Sequence, residues 1–345
     1  MDNILLDSLR CPASGAPLSL DGDRLVTRSG LSYPVENDIP IMLRQRDRAT
    51  LWVADASLNR NVDDPYRIDT LGIGDADRLK LAAQLDLHRQ SPLPVDPVVS
   101  ALIVATGGHM YRHLQHGLES LPIPELRLPD GQNKLLLDIG CNWGRWSIAA
   151  ARRGYRVVGI DPSLGAVLAA KRFAERNDLR ASFVVGDARC LPFAQRTFDV
   201  TFSYSVLQHF AREDATQSIA EAARVTKSTG IFKCQMASAF GIRSAWHIAR
   251  RGFRATNGFE VRYYSPKQLR ALFSTSFSDV ALEIDGFFGL GIQPSDRPMM
   301  TPTLRRVLTG SENLRRLATR WPNLHLLADS LYVTGHPRVA HGTIN

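Results

Sequence analysis

The hydrophobic positions of this chain fall into three regimes, and each predicts a different kind of structure. From Lys134 onward, apolar runs of strand length alternate with amphipathic stretches of helix length, the arrangement that builds a parallel sheet with helices on both faces. The runs predict strands at 135–139, 156–160, 182–185, 198–203 and 230–236, and helices at 144–153, 163–176 and 213–226. Two later runs, Asp279 to Ile284 and Ser330 to Thr334, supply closing strands. The expected fold is α/β, with a Rossmann-like, mostly parallel sheet over residues 131–337. Residues 1–45 read differently: a short helix from Asn3 to Leu9, then strand-length runs at Leu18 to Leu20, Arg24 to Thr27 and Leu31 to Pro34, punctuated by Asp21-Gly22 and Ser29-Gly30. Short runs with tight turns predict a small β-rich module. Between the two, residues 46–130 show helical periodicity at Leu79, Ala82, Ala83 and Leu85 and again from Val98 to Leu118, a connecting region expected to pack across the top of the main domain.

Val98 to Ala105 is the nearest approach to a membrane span, but it ends at Gly107-Gly108, well short of the roughly 20 apolar residues a span requires. A buried helix is expected there. The N-terminus opens on acidic and polar residues, so no secretory signal and a cytoplasmic location are expected. Four cysteines, Cys11, Cys141, Cys190 and Cys234, are too scattered for a disulfide framework or a cysteine-only zinc site. His109, His113 and His116 share one helix face, formally a metal-ligand spacing. No carboxylate or cysteine pattern accompanies them, so substrate contacts or a polar helix face are expected, and no metal. The formal net charge of +8 over 345 residues favours acidic partners, namely phosphorylated small molecules, nucleic acid or an anionic membrane surface, against the plainer alternative of a solvated basic surface.

The candidate chemistry sits at the carboxyl ends of the predicted strands. In LLLDIGCNWGRWSIAAA the first strand ends in Asp138, turns through Gly140 and Gly144, and enters a helix near Arg145. Glycines let a ligand approach bare backbone, and the N–H groups at a helix start favour a negative group. The next strand, YRVVGIDPS, ends in Asp161, where an open α/β sheet places an acid for ribose hydroxyls. SFVVGDARCLPF ends in Asp187, and FDVTFSYSVLQHF ends in a polar and aromatic cluster. A single glycine turn is weak testimony. Four successive strand ends are far more specific, because ligands of open sheets bind in the crevice outside those ends. The dinucleotide fingerprint G-x-G-x-x-G is absent, since the loop reads G-x-x-x-G, which argues against hydride transfer.

These motifs resemble class I S-adenosylmethionine-dependent methyltransferases, closely over 135–236 and more loosely over 237–335. The resemblance implies a sheet with one antiparallel closing strand and S-adenosylmethionine as cofactor. It assigns Asp138, Gly140 and Gly144 to the methionine-side loop, Asp161 to the ribose, and Asp187 with the Ala188 backbone to the adenine. Asn142 replaces the usual middle glycine of the loop; asparagine tolerates left-handed backbone, so an altered but working loop is expected. Trp143, Trp146 and Tyr204 are candidates for aromatic walls near a sulfonium, with ordinary packing the alternative for the tryptophans. His209 is the candidate base if the acceptor is a hydroxyl, with a capping or packing role as its alternative. The first 40 or so residues resemble small zinc-ribbon-like partner proteins of methyltransferases. Metal-bearing ribbons place a second cysteine where this chain has Ser14 and Gly15, so a metal-free packing or docking element is expected.

Two inserts, near 238–264 and 287–327, are placed to build the acceptor pocket. Arg243, His247, Arg250, Arg251 and Arg254 cluster on one candidate helix, and Arg305, Arg306, Arg315, Arg316 and Arg320 mark another. Arginine forks suit phosphate or carboxylate, so a small or carrier-linked acceptor, phosphorylated or glycan-type, is expected to be methylated at oxygen. RNA methylation is the alternative, disfavoured because Ser203-Tyr204-Ser205-Val206 stands where amino-directed enzymes of the family carry an Asn-Pro-Pro-Tyr-like tetrad. A cofactor-binding scaffold without turnover is a third reading. Oligomeric state is not readable.

Overall fold

The computed structural model describes residues 1–44, 52–91, 93–106, 118 and 120–338, so His109, His113 and His116 lie outside the described residues. The chain opens with helix α1 (Asn3–Ser8), capped by the Asp2 carboxylate on the Ile4 N–H at 3.2 Å. Strands β1 (Ser19–Asp21), β2 (Arg24–Val26), β3 (Ser32–Glu36) and β4 (Ile39–Pro40) then pair in sequence as an antiparallel sheet. Helices α2 (Trp52–Leu58), α3 (Asp75–Gln90) and α4 (Pro97–Thr106) follow. The main unit then runs β5 (Leu135–Ile139), α5 (Arg145–Arg152), β6 (Arg156–Asp161), α6 (Leu164–Arg176), β7 (Ala181–Val185), β8 (Phe198–Tyr204), α7 (Arg212–Val225) and β9 (Thr226–Ala237). Helices α8 (Ile242–Arg250) and α9 (Pro266–Ser274), strand β10 (Phe277–Gly286), helix α10 (Pro302–Leu317) and strand β11 (Ser330–Pro337) complete it.

The seven-stranded sheet has the order β10-β11-β9-β8-β5-β6-β7. β11 is antiparallel to both of its neighbours and every other pair is parallel, as the sequence implied. Strand order reverses at β5, which has β6 on one side and β8 on the other, so the loops leaving β5 and β8 diverge and open a crevice. Both faces of β5 are covered, which is why Leu136, Leu137 and Ile139 are all buried. Helix α7 contributes Ala215, Ile219, Ala222 and Val225 at helical spacing to the same core as Phe193 and Phe198, whose rings meet edge to face at 5.0 Å. Burying each such phenylalanine stabilises the fold by about 1.5–3 kcal/mol.

The N-terminal strands make a sheet of their own, yet their apolar face is not independent. Leu5, Leu9, Cys11, Leu25, Tyr33 and Met42 join one core cluster with Leu137, Ile160, Phe193 and Phe198. Main-chain bonds tie the two sheets as well: Met42 N–H donates to Val185 O at 2.7 Å, Arg10 N–H to Pro192 O at 2.9 Å, and Ala194 N–H to Ser8 O at 2.8 Å. Ile41 lies parallel to Val185, so the module covers the β7 edge that would otherwise be open. The sequence pattern missed β4, because two residues carry no periodicity and only pairing defines the strand. At Cys11, burial pushes the thiol up but hydrogen bonds from Ser14, Tyr33 and the Ala13 and Ser14 backbone outweigh it, and the net shift is downward. Among the described residues, no group of three histidine, cysteine or acidic side chains could hold a metal ion. No helix among them is long and apolar enough to cross a membrane.

Helix α3 forms where helical periodicity was expected, and Leu85 is buried as that periodicity implied, but Leu79 is 75% exposed and Leu81 joins Leu85 on the inner face. Helix α4 buries Val98, Val99, Leu102 and Ile103, as expected of Val98 to Ala105. The connecting region is also stitched to the first turn of α6: Ser57 Oγ accepts from Leu164 N–H at 3.0 Å, and Thr70 Oγ1 accepts from Gly165 N–H at 2.7 Å. A Cβ on Gly165 would fall 2.6 Å from Arg67 O, so this contact needs glycine.

Candidate active site

The loop after β5 begins with Gly140 at φ +75, its N–H donating to Ile160 O at 2.8 Å. A Cβ there would lie 2.3 Å from Cγ2 of Val206, so the loop after β8 rests directly on the bare backbone of the loop after β5. Gly144 ends the loop at φ +84, where a Cβ would lie 2.9 Å from the Ala170 methyl. Asn142 adopts φ +49, the left-handed conformation expected of it. Its N–H donates to Asp161 Oδ2 at 3.0 Å, and its Oδ1 accepts from Trp143 N–H at 2.7 Å. Asparagine thus replaces glycine's freedom with a self-made cap.

Two carboxyl groups lie beneath this loop. Asp138 is 1% exposed and accepts from Ser147 Oγ at 2.7 Å, with the Ser147 N–H beside it, so it anchors the first turn of α5. Burial pushes Asp138 up to about 7, and the neighbouring Asp161 adds to the shift. Asp161 is pushed up to about 6 by burial, although Ser163 N–H at 3.0 Å and Asn142 N–H both favour its charge. Asp161 lies under the loop, where its oxygens organise the turns at both Asn142 and Ser163. Two buried acids with raised pKa values form a site that a cationic or hydrogen-bond-donating ligand would relieve.

Asp187, at the third strand end, is held by Arg189, whose Nη2 donates to Oδ2 at 2.6 Å and whose backbone N–H donates to Oδ1 at 2.8 Å. Asp214 pairs with the same guanidinium at 3.3 Å. Ala188 is half-buried beside it.

Trp143 and Tyr204 do not offer open aromatic faces, contrary to expectation. Trp143 is 3% exposed and packs with Val98, Leu102 and Ile148 beneath the helical cap. Tyr204 lies 4.4 Å from Trp146 between ring centroids, and its hydroxyl donates to Asp285 Oδ2 at 2.7 Å while accepting from Gln293 Nε2 at 2.7 Å. Asp285 and Gln293 come from the distant closing segment, which a local reading of SYSVLQHF had no means to find. Trp146 likewise takes the packing alternative, among Phe202 and Tyr204.

The turn after β8 supplies two polar groups. His209 Nδ1 lies 2.8 Å from Phe259 O, and the two rings stack at 4.1 Å. A carbonyl only accepts, so Nδ1 carries the hydrogen and Nε2 keeps its lone pair. Desolvation lowers the His209 pKa, and nearby Arg262 lowers it further against the opposing Phe259 bond. Gln208 was not singled out by sequence. It is 1% exposed and donates from Nε2 to Ser205 Oγ at 2.7 Å, while its buried Oε1 has no partner among the described residues. Ser205 stands at φ +61, which turns this segment back over Gly140. The signal for Gln208 is structural only, a buried acceptor left unsatisfied. A cleft of about 500 Å³ lined by Glu125, Arg127, Arg153 and Lys233 lies elsewhere and contains none of these groups.

Residues 136–230 match the family described as a methyltransferase domain. The ubiquinone biosynthesis O-methyltransferase of Azorhizobium caulinodans is 29% identical over 192 residues, covering 54% of this chain and 68% of that protein. The demethylmenaquinone methyltransferase of Thermobifida fusca is 37% identical over 99 residues, 28% of this chain and 41% of the relative. The matches therefore span between 41% and 68% of the length of these curated relatives. Among solved structures, the Haemonchus contortus phosphoethanolamine N-methyltransferase 2 in complex with S-adenosyl-L-methionine aligns with a TM-score of 0.40 at 19% identity, covering 61% of this chain and 49% of that one. Strand order, reversal point and family match together define a class I methyltransferase domain. Residues 136–230 of this chain form a methyltransferase domain of the class I, S-adenosylmethionine-dependent kind. The residues can take that cofactor's donors: the buried Asp161 carboxyl and the unpartnered Gln208 Oε1 are acceptors that hydroxyl or ammonium groups would satisfy.

Proposed function

We propose that this methyltransferase acts on a hydroxyl of a small or carrier-linked acceptor, with His209 as general base. The observation that carries the reading is the bond from His209 Nδ1 to Phe259 O, which fixes the tautomer and leaves Nε2 free to take a proton. A lowered pKa keeps that nitrogen unprotonated near neutrality. The cofactor supplies an electrophilic methyl group, so the protein's tasks are alignment, dryness and removal of the hydroxyl proton. In this reading the Gly140–Gly144 loop holds the methionine end, with Asp138 bracing the start of α5. Asp161 accepts from the ribose hydroxyls, and Asp187 with the Ala188 backbone lies at the adenine end. Trp143 and Tyr204 support these loops from behind. The relatives named as O-methyltransferases support transfer to oxygen.

The test is a methyl-transfer assay with hydroxyl-bearing acceptor pools and mass readout, beside calorimetric titration with S-adenosylhomocysteine. His209→Ala is expected to lose transfer and to keep S-adenosylhomocysteine binding. An unaltered rate overturns the base assignment, and failure of the wild-type protein to bind either cofactor form overturns the site.

A further inference from the structure

The first insert presents a surface that the cofactor site does not use. Helix α8 is anchored on one side only, by the fully buried Asp329, whose Oδ1 accepts from Ser244 N–H at 2.7 Å and whose Oδ2 accepts from Phe288 N–H at 2.6 Å. Gly241 makes this docking close, since a Cβ there would fall 2.4 Å from Asp329 Cα. The opposite side of α8 is open. Ile242 is 56% exposed, Trp246 is 53% exposed, and they stand one turn apart. Phe240, just before the helix, and Phe253, at the turn that ends it, are 53% and 77% exposed. Phe259 is exposed as well, and while single exposed apolar residues are ordinary, five within one short insert make a patch.

A basic stripe lies beside the apolar one. Arg243, His247 and Arg250 repeat at helical spacing one position further on, and Arg243 and Arg250 are exposed, while Arg254, beyond the end of the helix, is paired with Glu260. The Arg250 guanidinium sits 5.2 Å from the Trp246 ring, so the charge and the aromatic share one face. From residue 238 to 264 the chain has five arginines and one acidic residue, Glu260. Leu326 and Leu327, just before the Asp329 anchor, are also exposed. Apolar and aromatic groups flanked by arginines match the interface of an anionic bilayer, where rings enter the headgroup region and guanidinium groups meet lipid phosphates.

We infer that α8 and its flanking turns seat this protein on an anionic lipid surface. The insert also carries Phe259, whose carbonyl and ring contact His209, so seating it would bring the acceptor side of the site against the membrane. This last step rests on the functional reading above and identifies the acceptor as a hydroxyl-bearing amphiphile dissolved in the bilayer. The seating itself does not depend on turnover.

The experiment is co-sedimentation of the full chain, without cofactor, with vesicles of phosphatidylcholine alone and of phosphatidylcholine mixed with phosphatidylglycerol. Binding to the mixed vesicles is expected, and it should weaken as added salt shortens the Debye length from about 10 Å to about 3 Å. Trp246→Glu and Arg250→Glu are each expected to reduce the partition coefficient about tenfold, with unchanged melting temperature and S-adenosylhomocysteine affinity. His209→Ala should bind vesicles like wild type, which separates this proposal from the catalytic one. Equal binding to both vesicle types, or to neither, overturns the proposal. So does a dimer in light scattering that Trp246→Glu dissociates, because a second copy would then cover the patch.

Discussion

The raised pKa of Asp161 makes cofactor affinity a function of pH in a range where ordinary carboxylates are silent. The native environment moves Asp161 from 3.8 to about 6 by burial, so the apo protein holds a proton there that the unfolded chain has already lost. A ligand that donates hydrogen bonds to Asp161 favours the ionised form, and binding must expel that proton. The apparent association constant then scales as the ionised fraction: nearly complete at about pH 7, half at about pH 6 and roughly one-eleventh at about pH 5. Affinity for S-adenosylhomocysteine is therefore expected to fall about tenfold from pH 7 to pH 5, equivalent to about 1.4 kcal/mol. Calorimetry in two buffers of different ionisation heat counts the proton directly, and about half a proton per ligand should be released near pH 6. An acid of ordinary pKa near 4 would give constant affinity over the same range. A flat profile with no buffer dependence would refute both the burial argument and the contact with Asp161.

Several further outcomes follow from named contacts. His209→Ala should lower the methyl-transfer rate by roughly 10²–10⁴, and the wild-type rate should fall on acidification with a midpoint below the ordinary histidine value, since only the neutral ring accepts a proton. Gly140→Ala places a methyl group into Val206 at a positive φ, so a loss of about 1–3 kcal/mol in thermal unfolding and weakened cofactor binding are expected. The burial of Asp138 raises it from 3.8 to about 7, which favours the folded state at low pH and costs stability as pH rises from about 4 to about 7; melting curves of the apo protein should show Asp138→Asn flattening that dependence. Leu9→Ala should cost about 2–5 kcal/mol and lower one common melting transition, because Leu9 is fully buried in a core shared by both sheets. Two separate transitions would show instead that the N-terminal sheet folds alone.

The loop chemistry was legible because it is local. Asp138, Gly140, Gly144 and Asp161 sit at strand ends that short periodic runs define, and the left-handed Asn142 follows from its own side chain. The aromatic walls were not legible. Whether Trp143 or Tyr204 faces a ligand depends on partners such as Leu102 and Asp285, far away in sequence. Gln208 was invisible for the same reason: nothing in SVLQHF says which end of its amide is left unpaired.

The sequence by itself determined the alternation of strands and helices, the glycine loop and the succession of acids, since periodicity and turn chemistry act over a few residues. Tertiary structure decided where each charge stands. Close packing buried Asp138 and Asp161 and raised their pKa values, Phe259 chose the tautomer of His209, and Asp329 fixed α8 with its apolar side open. It also merged the N-terminal strands into the main core. Burial, proton position and exposure are properties of neighbours brought together across the chain, and no local pattern encodes them.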